Sequence, residues 1–223
     1  MRTVAIGDIH GCVQAFRAIL DAVAPEHDDR VVTLGDYVDR GPDSRGVLDL
    51  LVRLETECRL VALLGNHDDM LLQASRGLYP TVYLEMGGLA TLASYGGTGP
   101  EDITLIPHEH IAFLERCVDC FEIETHIFVH ASYVPHLPMC EQPVLALRWE
   151  SLRDDVPAPH HSGKVVIAGH TSQKNGEILD LGHIKCIDTC CYGNGWLTAL
   201  DVCSGQIWQA NKAGVLRTKQ FSG

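Results

Sequence analysis

The stretch Gly35-Asp36-Tyr37-Val38-Asp39-Arg40-Gly41 constrains this chain more than any other. It follows the β-rich apolar run Val31-Val32-Thr33-Leu34 and leads into a helical pattern from Asp43 onward. Two carboxylates and a guanidinium stand between two glycines where a buried strand ends. A carboxylate at such a position is poor in water, and its charge is costly unless something cationic compensates it. Two further stretches share this build: Gly7-Asp8-Ile9-His10-Gly11 after residues 3–6, and Gly65-Asn66-His67-Asp68 after residues 60–64. Together the three read as pieces of one metal site.

Strand, loop and helix recur three times at this spacing. Residues 3–6 precede a helical pattern through Val13, Phe16, Ile19, Leu20 and Val23; residues 30–34 precede one through Val47, Leu48, Leu50, Leu51 and Leu54; residues 60–64 precede one through 70–74. Such repetition predicts βαβ units and a largely parallel sheet. The pattern weakens over residues 75–107, where glycines recur around a helix expected over 82–95; this is the candidate cap or substrate-selecting insertion. A helix is expected over 108–117, strands over 120–124, 126–129 and 164–168, and closing antiparallel strands over 184–187, 197–202 and 206–210. No pattern is visible beyond Gly214. The fold class is α/β, a mixed β-sandwich flanked by helices in one domain over residues 1–223, with ligands gathering outside the carboxyl ends of the strands.

Composition narrows the function. With 46% hydrophobic and 21% charged residues the chain can bury a substantial core. A net charge of -12 argues against a general nucleic-acid or anionic-membrane binder. A phosphate substrate stays compatible, because bound divalent cations reverse the local sign. No apolar run approaches the roughly 18 residues of a membrane span. Nine cysteines in no regular framework, without an export signal, predict reduced thiols in a cytoplasmic protein. Cys117-Val118-Asp119-Cys120 lacks a second pair and reads as structural. Cys12 and Arg17 are one residue short of the Cys-x5-Arg loop of cysteine phosphatases, and no Gly-x4-Gly-Lys loop is present.

Five strand candidates end in metal-ligand types: Asp8 and His10, Asp36, Asn66, His130 after residues 127–129, and His170 after residues 165–168. Mixed carboxylate, imidazole and amide donors suit manganese foremost, with iron or zinc as alternatives. Two ions roughly 3.5–4 Å apart need a shared carboxylate, and Asp36 in the middle stretch is the natural bridge. Other histidines read more plainly. His108 and His110 precede a helix and are expected to be solvated; His160-His161 lies in a proline-rich loop, and His183 is a turn residue.

The ordered motifs at 7–11, 35–41 and 65–68 resemble those of the phosphoprotein phosphatase branch of the calcineurin-like metallophosphoesterases. Val129-His130-Ala131 and Gly169-His170-Thr171 are similar to its two later histidine motifs. The resemblance implies that Asp8, His10 and Asp36 hold a first metal, and Asp36, Asn66, His130 and His170 a second. It implies that His67 is the general acid, oriented by Asp39, and that Arg40 and Asn66 meet the substrate phosphate. A second phosphate-binding arginine is expected between the late histidines, Arg148 first and Arg153 next. Asp68 stands where protein phosphatases usually have Glu. Cys190 stands where relatives usually have Gly, and Tyr192 nearby either lines the site or packs.

The implied chemistry is in-line attack on phosphorus by a hydroxide between two divalent ions, with His67 protonating the leaving oxygen. The first reading is a protein serine/threonine phosphatase acting on phosphorylated proteins or peptides. The second is a symmetrical diadenosine tetraphosphatase-like hydrolase, whose relatives tend to alter the Asp39-Arg40 pair. The third is a catalytically silent module that keeps the fold.

Overall fold

The computed structural model of the chain describes residues 2–220. The first half alternates strands and helices as the periodicity dictates: β1 (Thr3–Ile6), α1 (Val13–Val23), β2 (Arg30–Thr33), α2 (Ser44–Glu57), β3 (Arg59–Ala62) and α3 (Asn66–Ser75). In α1 the buried positions Val13, Phe16, Ile19 and Val23 recur at three- and four-residue spacing, which makes one apolar face. Helix α2 starts at Asp43, whose carboxylate accepts the N–H of Gly46 at 2.8 Å. Loss of such a cap costs about 1 kcal/mol.

The strands form two sheets. The first has the order β11-β10-β9-β1-β2-β3, with β9 (Leu197–Asp201), β10 (Gln206–Ala210) and β11 (Leu216–Gln220). The second has the order β4-β5-β6-β8-β7, with β4 (Cys120–Glu122), β5 (His126–Val129), β6 (Val165–Ala168), β7 (Leu179–Asp180) and β8 (Ile184–Cys186). Strands β1, β2 and β3 are parallel, as are β5, β6 and β8. Ala5, Val32, Leu34, Phe128, Ile167 and Leu200 fill the space between the sheets. Burying a side chain of Val, Leu or Phe size contributes about 1.5–3 kcal/mol. The outer face of the first sheet is covered by α1, α2, α3 and α6 (His108–Arg116), through residues such as Phe16, Leu48, Leu71 and Phe113.

Three expectations need correction. Strand β8 does not join a closing antiparallel meander; it runs parallel to β6, with Val166 opposite Ile184, in the second sheet. The tail beyond Gly214 is not patternless, because β11 pairs antiparallel with β10 over five residue pairs. The helix expected over 82–95 is divided into α4 (Pro80–Tyr83) and α5 (Leu89–Ser94) by a wide turn in which Gly87 adopts φ 119°. Segment 75–107 is packed into the outer core through Tyr83, Leu92 and Ile103. No helix among the described residues is long and apolar enough to cross a membrane.

Candidate active site

Strands β1, β2 and β3 deliver Asp8, Asp36 and Asn66 to one edge of the sandwich, and β5 and β6 deliver His130 and His170 to the same edge. Each of three imidazoles has one ring nitrogen on a backbone carbonyl. His10 Nδ1 lies 2.9 Å from Val38 O, His130 Nδ1 2.7 Å from Leu34 O, and His170 Nε2 3.1 Å from Trp149 O. A carbonyl only accepts, so each of those nitrogens carries the proton and the opposite nitrogen keeps its lone pair. The lone pairs converge. His10 Nε2 is 3.3 Å and His130 Nε2 3.5 Å from the Asp36 carboxylate. His130 Nε2 and His170 Nδ1 lie 3.0 and 2.9 Å from Asn66 Oδ1.

So many acceptors facing one another repel unless cations lie between them, and this donor chemistry fits divalent metal ions. His10, Asp36 and His67 form one group of ligand atoms, and Asp36, His130 and His170 another, each within 4.8 Å of one another. Asp36 belongs to both, as a bridge must. Asp8 lies outside both groups, with its carboxylate accepting the His170 N–H at 3.0 and 3.2 Å.

Burial lowers the pKa of His130, and lowers that of His170 to about 4. Both imidazoles are therefore neutral and able to ligate. Burial opposes charge on Asp36, but its imidazole neighbours His130, His67 and His10 outweigh it and hold its carboxyl well below the usual range. Asp8 moves the other way, pushed up by burial and then by its neighbours Asp188 and Asp36. Positive charge brought into the pocket relieves that conflict.

The backbone is strained where the site is built. Among the described residues, eight non-glycine positions have positive φ, and His10, Asp36, Asp39, Arg40, His170 and Cys190 are six of them. Each left-handed residue costs about 1–2 kcal/mol, and such strain persists only where the surroundings over-determine it. Asp68 is one such restraint. Its buried carboxylate accepts the backbone N–H groups of Asp36, Tyr37 and Gly65 at 2.7, 2.9 and 3.0 Å. Gly169 is another, because a Cβ there would lie 2.1 Å from Asp8 Oδ1.

His67 lies in the first turn of helix α3 and turns its Nδ1 to Asp39 Oδ2 at 2.7 Å, with both side chains buried. Its own N–H donates to Asp36 Oδ1 at 3.0 Å, which ties it to the carboxylate shared by both ligand groups. Arg40 is exposed at the rim. Its Nη1 donates to His10 Nε2 at 3.0 Å, and its guanidinium carbon lies 4.7 Å from the centre of the Tyr192 ring. Tyr192 also meets the His10 ring edge-on at 5.0 Å, so it lines the site.

The family model of the calcineurin-like phosphoesterases matches residues 1–174. The chain is a calcineurin-like phosphoesterase. Enzymes of this family use a dinuclear divalent metal centre, and the residues gathered around Asp36 fit one. Serine/threonine-protein phosphatase 1 of Salmonella typhimurium is 33% identical over 132 residues, 57% of each chain. With the ordered motifs, this likeness supports the phosphoprotein phosphatase branch. The symmetrical bis(5'-nucleosyl)-tetraphosphatase of Burkholderia pseudomallei is 31% identical over 157 residues, 68% of this chain and 51% of that one. The match thus takes in little more than half the length of either relative. A crystal structure assigned provisionally as a diadenosine tetraphosphatase superposes with a TM-score of 0.70 and 24% identity, over 100% of this chain and 95% of that one.

The phosphoesterase departs from the sequence reading at two side chains. Arg148 does not offer a free guanidinium to phosphate. It is held by Asp69 at 3.0 Å and Asp119 at 2.6 Å, two carboxylates that compensate its charge. Arg153 instead donates to the backbone oxygen of Ser172, two residues past His170, and pairs with no carboxylate among the described residues. His110 is not solvated but buried, between the Tyr95 hydroxyl at 2.6 Å and Asp49 at 3.1 Å. His160, as read, stays within its loop, bridging Ser162 and the Leu137 carbonyl.

Four further residues take part without having been singled out for a role: Asp68, Tyr83, Thr91 and Asp188. Tyr83 and Thr91 both donate to Asp39 Oδ1. Asp188 accepts the Ser172 hydroxyl and the N–H of Cys190 beside Asp8. Cys190 has φ 63°, the left-handed conformation that explains the glycine usual at that place.

Proposed function

We propose that the chain is a metal-dependent phosphomonoesterase that acts on phosphoserine and phosphothreonine in proteins. When bound, a pair of divalent ions at Asp8, His10, Asp36, Asn66, His130 and His170 supplies activated water near neutral pH and charge for the phosphoryl oxygens. The chain's own residues do the rest. Arg40, steadied by Tyr192, offers a forked donor to two phosphate oxygens. Asn66, whose Oδ1 faces His130 and His170, would give that oxygen to a metal ion and its amide N–H to the phosphate. Asp39 holds His67 Nδ1–H, which leaves Nε2 to deliver a proton to the departing oxygen.

The observation that carries the reading is the buried His67–Asp39 contact at 2.7 Å. An alkoxide of serine is a poor leaving group and needs that proton. A nucleotide phosphate leaves readily without one, so a fully braced donor favours the phosphoprotein over the dinucleotide. The likeness to the symmetrical tetraphosphatases supports the second reading, cleavage of diadenosine tetraphosphate. All nine cysteines are free thiols, which suits work in a reducing cytoplasm.

A substrate panel with manganese tests the proposal, comparing a phosphoserine peptide, diadenosine tetraphosphate and p-nitrophenyl phosphate. The expected result is a higher kcat/KM for the peptide than for the dinucleotide. Preference for the dinucleotide overturns it in favour of the second reading, and no turnover of any of the three substrates, with manganese or in repeats with iron and zinc, leaves only the silent module.

A further inference from the structure

The far side of Asp39 is built more elaborately than a buried carboxylate requires. Oδ2 meets His67 Nδ1 at 2.7 Å, while Oδ1 accepts the Tyr83 hydroxyl at 2.8 Å and the Thr91 hydroxyl at 2.6 Å. Thr91 Oγ1 also accepts the Asp39 N–H at 2.9 Å and lies 3.0 Å from Ser44 Oγ. One hydroxyl thereby grips both the backbone and the carboxylate of a residue held at φ 71°. Asp39, Thr91 and Ser44 are 0% exposed and Tyr83 is 2%, so water has no access to replace a lost donor. The Tyr83 ring lies against Gly88, where a Cβ would come within 2.4 Å of it. The wide turn at Gly87 and Gly88 lets this ring reach Asp39.

We propose that Tyr83 and Thr91 are positioning residues for the proton donor, clamping the outer oxygen of Asp39 so that its inner oxygen holds His67 in one orientation. The inference rests on the reading of His67 as general acid. Neutralising a carboxylate beside an imidazole needs no second and third donor; fixing its plane does. Two hydroxyls on Oδ1 from different helices, α4 and α5, set that plane. The lone pair of Oδ2 then points along the His67 N–H, and Nε2 is aimed at the ligand cluster. Segment 75–107, weakly patterned in sequence, is on this account part of the proton-delivery machinery.

The test uses leaving groups. A phosphoserine peptide needs a proton on its departing oxygen, and p-nitrophenyl phosphate, with a good leaving group, needs it far less. Tyr83→Phe, Thr91→Val and the double variant are compared with His67→Asn, with metal content and melting temperature recorded for each. His67→Asn should cut peptide turnover by about 10²-fold or more and nitrophenyl turnover much less. The double variant should shift the peptide-to-nitrophenyl ratio in the same direction by about tenfold, the worth of a hydrogen bond to a charged group. Thr91→Ser, which keeps the hydroxyl, should restore the ratio. If the double variant fails to fold, the isosteric Tyr83→Phe carries the comparison. Equal losses on both substrates, or none, in these variants while His67→Asn splits them overturns the positioning role alone. No split in His67→Asn removes the proton donor itself, and the proposal with it.

Discussion

Gly169→Ala is a one-carbon change whose consequence can be worked from the coordinates. Its Cβ would lie 2.1 Å from Asp8 Oδ1, whereas a carbon and an oxygen settle at about 3.3 Å, so the carboxylate must retreat by about 1.2 Å. The backbone at Gly169 is not left-handed, so alanine is sterically acceptable there in every other respect. Its next contacts, Asp8 Cγ at 3.2 Å and His130 O at 3.4 Å, are tight but tolerable. Retreat breaks the bonds from the His170 N–H to Asp8, at 3.0 and 3.2 Å. A hydrogen bond to a charged group is worth about 1.5–3 kcal/mol, which corresponds to about 10- to 100-fold in affinity. A ligand misplaced by about 1 Å can cost a similar factor in rate. Calorimetric titration of the metal-free variant with manganese should therefore show one site weakened by about 10- to 100-fold, with a melting temperature lowered by about 3–10 °C in a chain that still folds. Unchanged affinity at both sites would falsify the placement of Asp8 in the metal centre.

Other perturbations address the remaining parts. His67→Asn should lower kcat on a phosphoserine peptide by about 10²-fold or more while keeping its metal, as elemental analysis would show; near-normal turnover refutes the general acid. Arg40→Ala removes the forked donor and should lower kcat/KM for the peptide by about 10- to 100-fold, and an unchanged value removes Arg40 from phosphate binding. His170 has a pKa of about 4 when folded, below its ordinary value near 6.5. The unfolded chain then binds the extra proton between those values, so stability is full above about pH 6.5 and lost as pH falls toward about 4, by about 3 kcal/mol at most. Urea midpoints of the chelator-treated protein at both pH values measure this, and a fall of equal size in His170→Asn would contradict the assignment.

The convergence of the candidate ligands was legible because each follows a short β-rich run, and in a parallel sheet such strands end at one shared edge. Asp8, Asp36, Asn66, His130 and His170 could be placed there without knowing how the two sheets pack. Partner choice was not legible. Arg148 sits on α7 (Val144–Trp149), and nothing local shows that Asp69 and Asp119 lie opposite it. His110 carried an overlooked signal: with Phe113 and Leu114 it repeats at three- and four-residue spacing on the buried face of α6. The direction of β8 is not written in three residues, since parallel and antiparallel edges have the same composition. The clamp of Tyr83 and Thr91 was hidden because the turn at Gly87 interrupts the helical period that would have put them on one face.

The direct test of the account is a count of bound metal. The chain and its Asp36→Asn variant are equilibrated with excess manganese, freed of unbound ion and analysed for elemental content. Two ions per chain are expected in the parent, one on the His10 side and one on the His130–His170 side of the shared Asp36, and loss of both in the variant. A parent that holds none, or a variant that still holds two tightly, contradicts it.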